Sequence, residues 1–288
     1  MQLGYSTWGM PGVRLDVALP HLAQLGFDGV ELTVVDPGGF KNIDCELSML
    51  DAPKRRAIRD LLDRTGLQLT GLHAGTARFL ARDPAERAES VRRLEETVRL
   101  AVDLAGGEVP PPVVATVGGR PEEWEQVKHR LAEEAGRFAR FAGSYGVTYA
   151  VEPHVGSALD RPEKAAWLIE TVGLPHLRVN FDISHFNVIG LSIEETVPVM
   201  APLAAHTHVK DERGRAPAHQ FLIPGEGEFD YVRYLKAMQA AGYTGCITVE
   251  ISVMVQRRPA YDPLAAAEQS YRVLARAFEQ AGIARARR

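Results

Sequence analysis

The 288-residue chain is 45% apolar and 24% charged, with a formal net charge of −4, which suits a substantial core and offers no basic field to draw in nucleic acid. Its two cysteines, Cys45 and Cys246, the second inside an apolar run, argue against a disulfide framework and for a reducing cytoplasm. No apolar run approaches the roughly 18–20 residues that span a bilayer, and the opening Met1-Gln-Leu-Gly-Tyr-Ser lacks the basic and apolar regions of a signal peptide.

Leu3–Thr7 reads as a first strand, and a helix over about Leu15–Leu25 is closed by Gly26. Gly29–Thr33 is the second strand, and the long loop after it, Val34–Ala52, holds Pro37-Gly-Gly39. A helix over Pro53–Thr65 stops at Gly66 and gives way to a third strand, Leu67–His73. Asp83-Pro84 opens a long helix to about Ala105, proline being favoured in a first turn. Pro110-Pro-Pro112 blocks any helix and delivers the chain to a fourth strand, Val113–Val117.

From there the alternation continues to the end. A helix from about Pro121 to Tyr145 leads to the strand Val147–Glu152, and Arg161–Val172 leads to Leu177–Asp182. Ser192–Met200 precedes Ala204–His208, and Phe229–Ala241, stopped by Gly242, precedes Cys246–Glu250. Asp262-Pro263 opens a last amphipathic helix to about Ala281, and residues 284–288 read as a solvated basic tail. Eight strand–helix units with no linker between them give the arithmetic of a single (β/α)₈ TIM barrel over residues 1–283. An open doubly wound sheet would want a glycine-rich phosphate turn after the first strand, and Ser6-Thr-Trp-Gly-Met-Pro-Gly12 is not one.

The last four strands share a feature: each ends in an acid or an imidazole, Glu152, Asp182, His208 and Glu250. In a closed parallel barrel the C-terminal strand ends meet at one mouth, the face where active sites sit. A single acid at a strand end is more often a solvated loop residue or a partner for a nearby lysine than a metal ligand. Three anionic groups converging without a cation would repel one another strongly, so the coincidence of four points to a metal site. Three carboxylates and one imidazole suit Mn²⁺, Mg²⁺ or Co²⁺ better than a thiolate-rich zinc site does.

Around them, His73, His154 and Lys210 end near the same mouth as candidates to contact substrate, the two histidines alternatively pairing with a supporting carboxylate, and His185 lies just past its strand end beside the metal position. His206 shares the inward side of His208 one layer deeper, where a core or supporting role is expected. Glu31 lies within a strand and is read as structural, paired to a buried cation or hydroxyl. Pro224-Gly-Glu-Gly227 is read as a rigid turn shaping the mouth and Arg257-Arg258 as a solvated pair, while Trp8, Phe40 and Phe186 are scattered in the manner of packing aromatics.

Glu152-Pro-His154, Asp182-Ile-Ser-His185, His208-Val-Lys-Asp211, Pro224-Gly-Glu-Gly227 and Val249-Glu-Ile251 together resemble the sugar phosphate isomerase/epimerase family of the xylose-isomerase-like superfamily. The resemblance spans the barrel and is most specific from about Tyr149 to Ser252. It implies one divalent metal, Mn²⁺ before Mg²⁺ or Co²⁺, bound by Glu152, Asp182, His208 and Glu250, with Glu152 and Glu250 also serving as the acid/base pair. It further implies that His185 and Arg213 contact substrate oxygens, although the spacing of Arg213 after His208 is not identical to the family's. A homo-oligomer acting on a small carbohydrate is implied as well. The chain departs from the ketose 3-epimerases at Ala158, where they carry another glutamate.

The chemistry of such a site is proton abstraction beside a carbonyl: a chelated metal stabilises the enediolate, and two carboxylates remove and return the proton. Return on the other face epimerises, return to the next carbon isomerises, and loss of a β-hydroxyl dehydrates. A metal-dependent lyase on a keto-sugar, keto-inositol or 3-keto glycoside is therefore the alternative. A nuclease on the same barrel would need further histidines where Val117-Gly-Gly119 and Pro217-Ala-His219 stand, together with a basic groove.

Overall fold

A computed structural model describes residues 1–34 and 47–286; Phe40, Cys45 and Pro37-Gly-Gly39 lie outside the described residues. The strands in chain order are β1 (Gln2–Ser6), β2 (Gly29–Thr33), β3 (Gln68–Ala77), β4 (Val113–Val117), β5 (Tyr149–Glu152), β6 (Leu177–Asp182) and β7 (Ala204–Val209). There follow β8 (Asp211–Arg213), β9 (Gln220–Leu222) and β10 (Cys246–Val249). Eight of them close a parallel barrel in the order β1-β10-β7-β6-β5-β4-β3-β2, and β8 and β9 form a separate antiparallel hairpin. The (β/α)₈ reading of the sequence is the observed architecture.

The connecting helices are α1 (Leu15–Leu25), α2 (Ala52–Thr65), α3 (Pro84–Ala105), α4 (Trp124–Ser144) and α5 (Pro162–Val172). They continue as α6 (Ile183–Asn187), α7 (Ile193–Met200), α8 (Tyr231–Ala240), α9 (Val253–Gln256) and α10 (Pro263–Ala281). The local signals act as expected. The Asp51, Asp83 and Asp262 side chains accept from backbone N–H groups in the first turns of α2, α3 and α10, each with proline in the first turn. Gly26, Gly66, Gly106 and Gly282 end α1, α2, α3 and α10 in the left-handed conformation that L side chains resist.

Three departures have physical causes. β3 runs four residues beyond the expected His73, because after a register shift between His73 and Thr76 the segment pairs with β4 again. Gly75, at φ 72°, lies within that shift, and in Ala-Gly-Thr-Ala only Thr76 favours a strand. Helices α6 and α9 span five and four residues, too short to show a helical period. The β8–β9 hairpin occupies a stretch expected to be loop.

Strand alternation sorts the side chains into two environments. On β6, Phe181 faces the helical layer and packs on Phe186 and on Tyr234 of α8, whereas Asn180 and Asp182 face the barrel interior with His206 and His208 of β7. Phe186 is thus packing, as the sequence suggests. Cys246 is a buried free thiol. Arg285, read as part of a solvated tail, instead packs down: its guanidinium donates to the Gly26 carbonyl at 3.0 Å and lies 3.6 Å from Asp28. No described helix is long and apolar enough to cross a membrane.

Glu212 on β8 is buried, accepts one hydrogen bond from Asn187 Nδ2 at 2.9 Å, and has its second oxygen unpartnered among the described residues. Burial, opposed by that Asn187 bond and reinforced by Asp211 and Asp182, pushes its carboxyl up to about 8. A folded-state value above the ordinary 4.5 means that the native state holds the proton more tightly, so the associated stability is present below pH about 4.5 and is lost as pH rises through about 8. Glu212→Gln is expected to remove that loss. Urea unfolding of both proteins at pH about 5 and about 8 should show the variant gaining on wild type by more than about 1 kcal/mol at the higher pH, since a tenfold difference in proton affinity is worth about 1.4 kcal/mol. A gap that does not change with pH would contradict the assignment.

Candidate metal centre and substrate mouth

Parallel pairing delivers the four strand ends to one level. Asp182 stands opposite His208, Thr248 of β10 is also paired with His208, and the Glu250 N–H donates to the Val209 carbonyl at 3.0 Å. Candidate ligand atoms of Asp182, His208 and Glu250 lie within 4.8 Å of one another, as do those of Glu152, Asp182 and His185. His208 Nδ1 links the groups, 3.6 Å from Glu152 Oε1 and 3.7 Å from Glu250 Oε1. All these side chains are buried.

The His208 ring is held from behind. Its Nε2 lies 3.0 Å from both oxygens of Glu31, which turns Nδ1 towards the acids, where Asn180 Nδ2 also reaches it at 3.0 Å. Asn180 Oδ1 pairs with His206 Nδ1 at 3.1 Å, and His206 Nε2 lies 3.4 Å from Thr248 Oγ1. Glu31, Asn180, His206 and Thr248 therefore make a polar layer one step below the strand ends. Asp182 is fixed in a similar way: Oδ1 accepts from the Ser184 N–H at 3.0 Å and the Ser184 hydroxyl at 2.6 Å, leaving Oδ2 turned to the centre.

Burial would by itself raise the carboxyls of Glu31, Glu152 and Asp182, and the neighbours reverse it. Glu31 falls to about 2 although burial pushes it up, because the charge and hydrogen bond of His208, with His206 behind them, outweigh desolvation. Glu152 is held below its ordinary range against burial by His185 and His208, and Asp182 against burial by Lys210 and then His185. His208 shows the converse, raised against burial by Glu31, Glu250 and Glu152. His154 drops to about 4 through burial and then the nearby His185, so it is a neutral ring at physiological pH.

The donor set fits a divalent cation: hard carboxylate oxygens with one imidazole, and a buried Glu152 Oε2 that has no hydrogen-bond partner among the described residues. Below it, the Glu31–His208 pair is the carboxylate–histidine arrangement that fixes ring orientation at metal sites.

A cavity of about 440 Å³ opens above these groups, and its lining includes Trp8, His73, Glu152, His154, His185, Lys210, Glu250 and Arg257. Of the residues expected to meet substrate, His73, His154, His185 and Lys210 stand in this wall. His185 Nε2 is 3.4 Å from Asp182 Oδ2 and 3.6 Å from Glu152 Oε1, its ring 3.8 Å from that of His154. Trp8 lies edge-on to His73 at 5.0 Å, and Phe221 of β9 edge-on to His185 at 5.1 Å. Lys210 is buried among the ligands, its Nζ bonded to Asp182 Oδ2 and, at 2.5 Å, to Glu250 Oε2. Arg213 is not brought to the mouth: the β8–β9 hairpin carries it to a different cavity of about 270 Å³, and its guanidinium donates to the Glu226 carbonyl at 2.8 Å. Arg257, read as solvated, is the arginine in the mouth lining, while Arg258 pairs with Glu226 at 2.8 Å.

Sequence reasoning missed the grip of Glu31 on His208 and the bridging role of Asn180. Both lie two residues from, or across from, a residue already singled out, and inward alternation on the strands was the signal available. It also missed Asp211. That buried carboxylate accepts from the N–H groups of Gly225 at 2.8 Å, and of Gly227, Phe229 and Glu212 at 3.0 Å each. Pro224–Gly227 is thus a turn whose Gly225 and Gly227 amides are already committed to a carboxylate. Gly227 is required there, since a Cβ would strike the Asp211 carboxylate and the Glu212 carbonyl.

The family model described as xylose isomerase-like TIM barrel matches residues 19–277. Fructoselysine 3-epimerase of Shigella flexneri is 22% identical over 266 residues, covering 90% of this chain and 93% of the relative. Among solved structures, D-psicose 3-epimerase in the presence of D-fructose superposes with a TM-score of 0.75 at 18% identity, over 98% of this chain and all of the other. The IolI protein with a bound zinc atom superposes at 0.78 with 17% identity, over 97% and 99% of the two chains.

Asp211→Ala strips the acceptor from four backbone N–H groups. The variant is expected to lose about 3 kcal/mol or more in urea unfolding, since hydrogen bonds to a buried charge are worth roughly 1.5–3 kcal/mol each. Amide exchange should accelerate at residues 225–229. Stability within about 0.5 kcal/mol of wild type, with unchanged exchange, would show that the turn holds itself.

Proposed function

The chain belongs to the xylose isomerase-like TIM barrel family, and from that premise we propose that it is a divalent-metal-dependent sugar isomerase or epimerase. The observation that carries the reading is the convergence of Glu152, Asp182, His208 and Glu250 in one mouth at the C-terminal ends of the barrel strands. The epimerase activities of a sequence relative, the fructoselysine enzyme, and of a structural neighbour, the psicose enzyme, support it.

In this reading Glu152, Asp182, His208 and Glu250 hold one divalent cation, best Mn²⁺, with Mg²⁺ or Co²⁺ able to replace it. The ion supplies Lewis-acid stabilisation of the negative charge that develops when a proton leaves carbon beside a carbonyl. Glu152 ends β5 and Glu250 directly follows β10, the strands on either side of the β6–β7 pair, so one carboxylate removes the proton and the other returns it. His73, His154 and His185 hydrogen-bond the hydroxyls of a small carbohydrate, with Trp8 and Phe221 walling its apolar edge. Arg257, in the mouth lining, takes the place expected of Arg213. The protein acts in the cytoplasm, as a homo-oligomer.

Incubating the Mn²⁺-loaded protein with a panel of keto-sugars and keto-inositols in D₂O, followed by NMR, is expected to show deuterium entering carbon beside the carbonyl. Glu152→Gln and Glu250→Gln should each lower that exchange at least about 100-fold, the lower end of what general acid–base groups contribute. Exchange at the wild-type rate in either variant would remove that carboxylate from the acid/base pair. An unsaturated product would replace the isomerase reading with elimination.

Glu31→Gln removes the charge that orients His208 without touching the mouth. Calorimetric titration with Mn²⁺ is expected to show affinity lowered roughly 10–100-fold, and an unchanged affinity would reduce Glu31 to a core partner.

A further inference from the structure

Lys210 is the one lysine or arginine among the described residues whose charged head meets the ligand carboxylates. It follows His208 by two residues and so points the same way. Its side chain is buried, with Nζ 5.4 Å from the centroid of the Phe221 ring. The ammonium bonds the very oxygen that Asp182 has left to give, since Oδ1 is committed to Ser184. It also takes Glu250 Oε2, while Glu250 Oε1 faces His208 Nδ1. An ammonium gripping these two oxygens and a dication gripping the same pair repel each other at short range in a site screened from water.

We propose that Lys210 is the resident counter-cation of the ligand set: its ammonium holds the Asp182 and Glu250 carboxylates together in the metal-free protein and withdraws from them into the mouth when a divalent ion binds. The inference rests on the metal-binding reading above and assigns Lys210 a role the carbohydrate does not require. Lys210 then lets three acids fold beside one another before any metal is present, and it sets the threshold at which a cation is taken up. A monovalent ion offers no gain in charge over the ammonium it would displace, whereas a divalent ion does.

The test compares the full-length wild type with Lys210→Met, which keeps an unbranched side chain and removes the charge. Titration calorimetry with Mn²⁺ is expected to show the variant binding at least tenfold more tightly. Its melting temperature should fall below wild type without metal and recover when Mn²⁺ is added. Equal or weaker Mn²⁺ affinity in the variant overturns the inference. A second measurement uses the wild type alone: acetylation of Lys210 by an amine reagent, followed by mass spectrometry, is expected to be slow without Mn²⁺ and faster with it. Labelling that is equal or slower with Mn²⁺ overturns the inference as well. Wild type that takes up no Mn²⁺ overturns the metal reading itself, an outcome distinct from wild-type binding that removal of Lys210 leaves unimproved.

Discussion

Four carboxylates, Glu31, Glu152, Asp182 and Glu250, are buried in one end of a closed barrel, and everything else about this site follows from the need to neutralise them. Desolvated acids at such range cannot all stay ionised alone, because burial disfavours the charged form and like charges add to that penalty. The chain answers with Lys210 between Asp182 and Glu250, and with His208 between Glu31 on one side and Glu152 and Glu250 on the other. Acids kept ionised and pre-aimed in this way are what a metal site and a proton-transfer site both require. The same arrangement has little value as packing, since an apolar cluster of equal volume would stabilise the barrel as well or better.

The barrel itself was largely legible from the chain. The caps and stops that bound α1, α2, α3 and α10 are local, so Gly26, Gly66, Asp83-Pro84 and Asp262-Pro263 announce them without tertiary information. The extension of β3 was not legible, because Ala74–Ala77 becomes strand only through its pairing with β4 beyond the irregularity at Gly75. The β8–β9 hairpin was hidden for a related reason. Its first strand begins at Asp211, whose carboxylate accepts from the amides of Gly225, Gly227 and Phe229, contacts closed over 14 to 18 positions that no local pattern announces.

Within the site, the convergence of Glu152, Asp182, His208 and Glu250 follows from topology, since parallel strands in a closed barrel leave their ends nowhere else to go. Residues that act from below them are harder to see. Glu31 comes from the far side of the barrel, 177 positions from the ring it holds, and only strand closure brings it under His208. Arg213 differs again: the family resemblance implied a substrate-contacting arginine soon after His208, and the β8–β9 hairpin carries this side chain to another cavity. Arg257 reaches the mouth because the short helix α9 folds the chain back after Glu250.

The most direct test of the central claim is diffraction. Crystals soaked in Mn²⁺, with data collected on either side of the manganese absorption edge, are expected to give one anomalous peak in contact with Glu152, Asp182, Glu250 and Nδ1 of His208, with Glu31 still on Nε2. A peak elsewhere, or none in crystals whose four side chains are well ordered, would contradict the account.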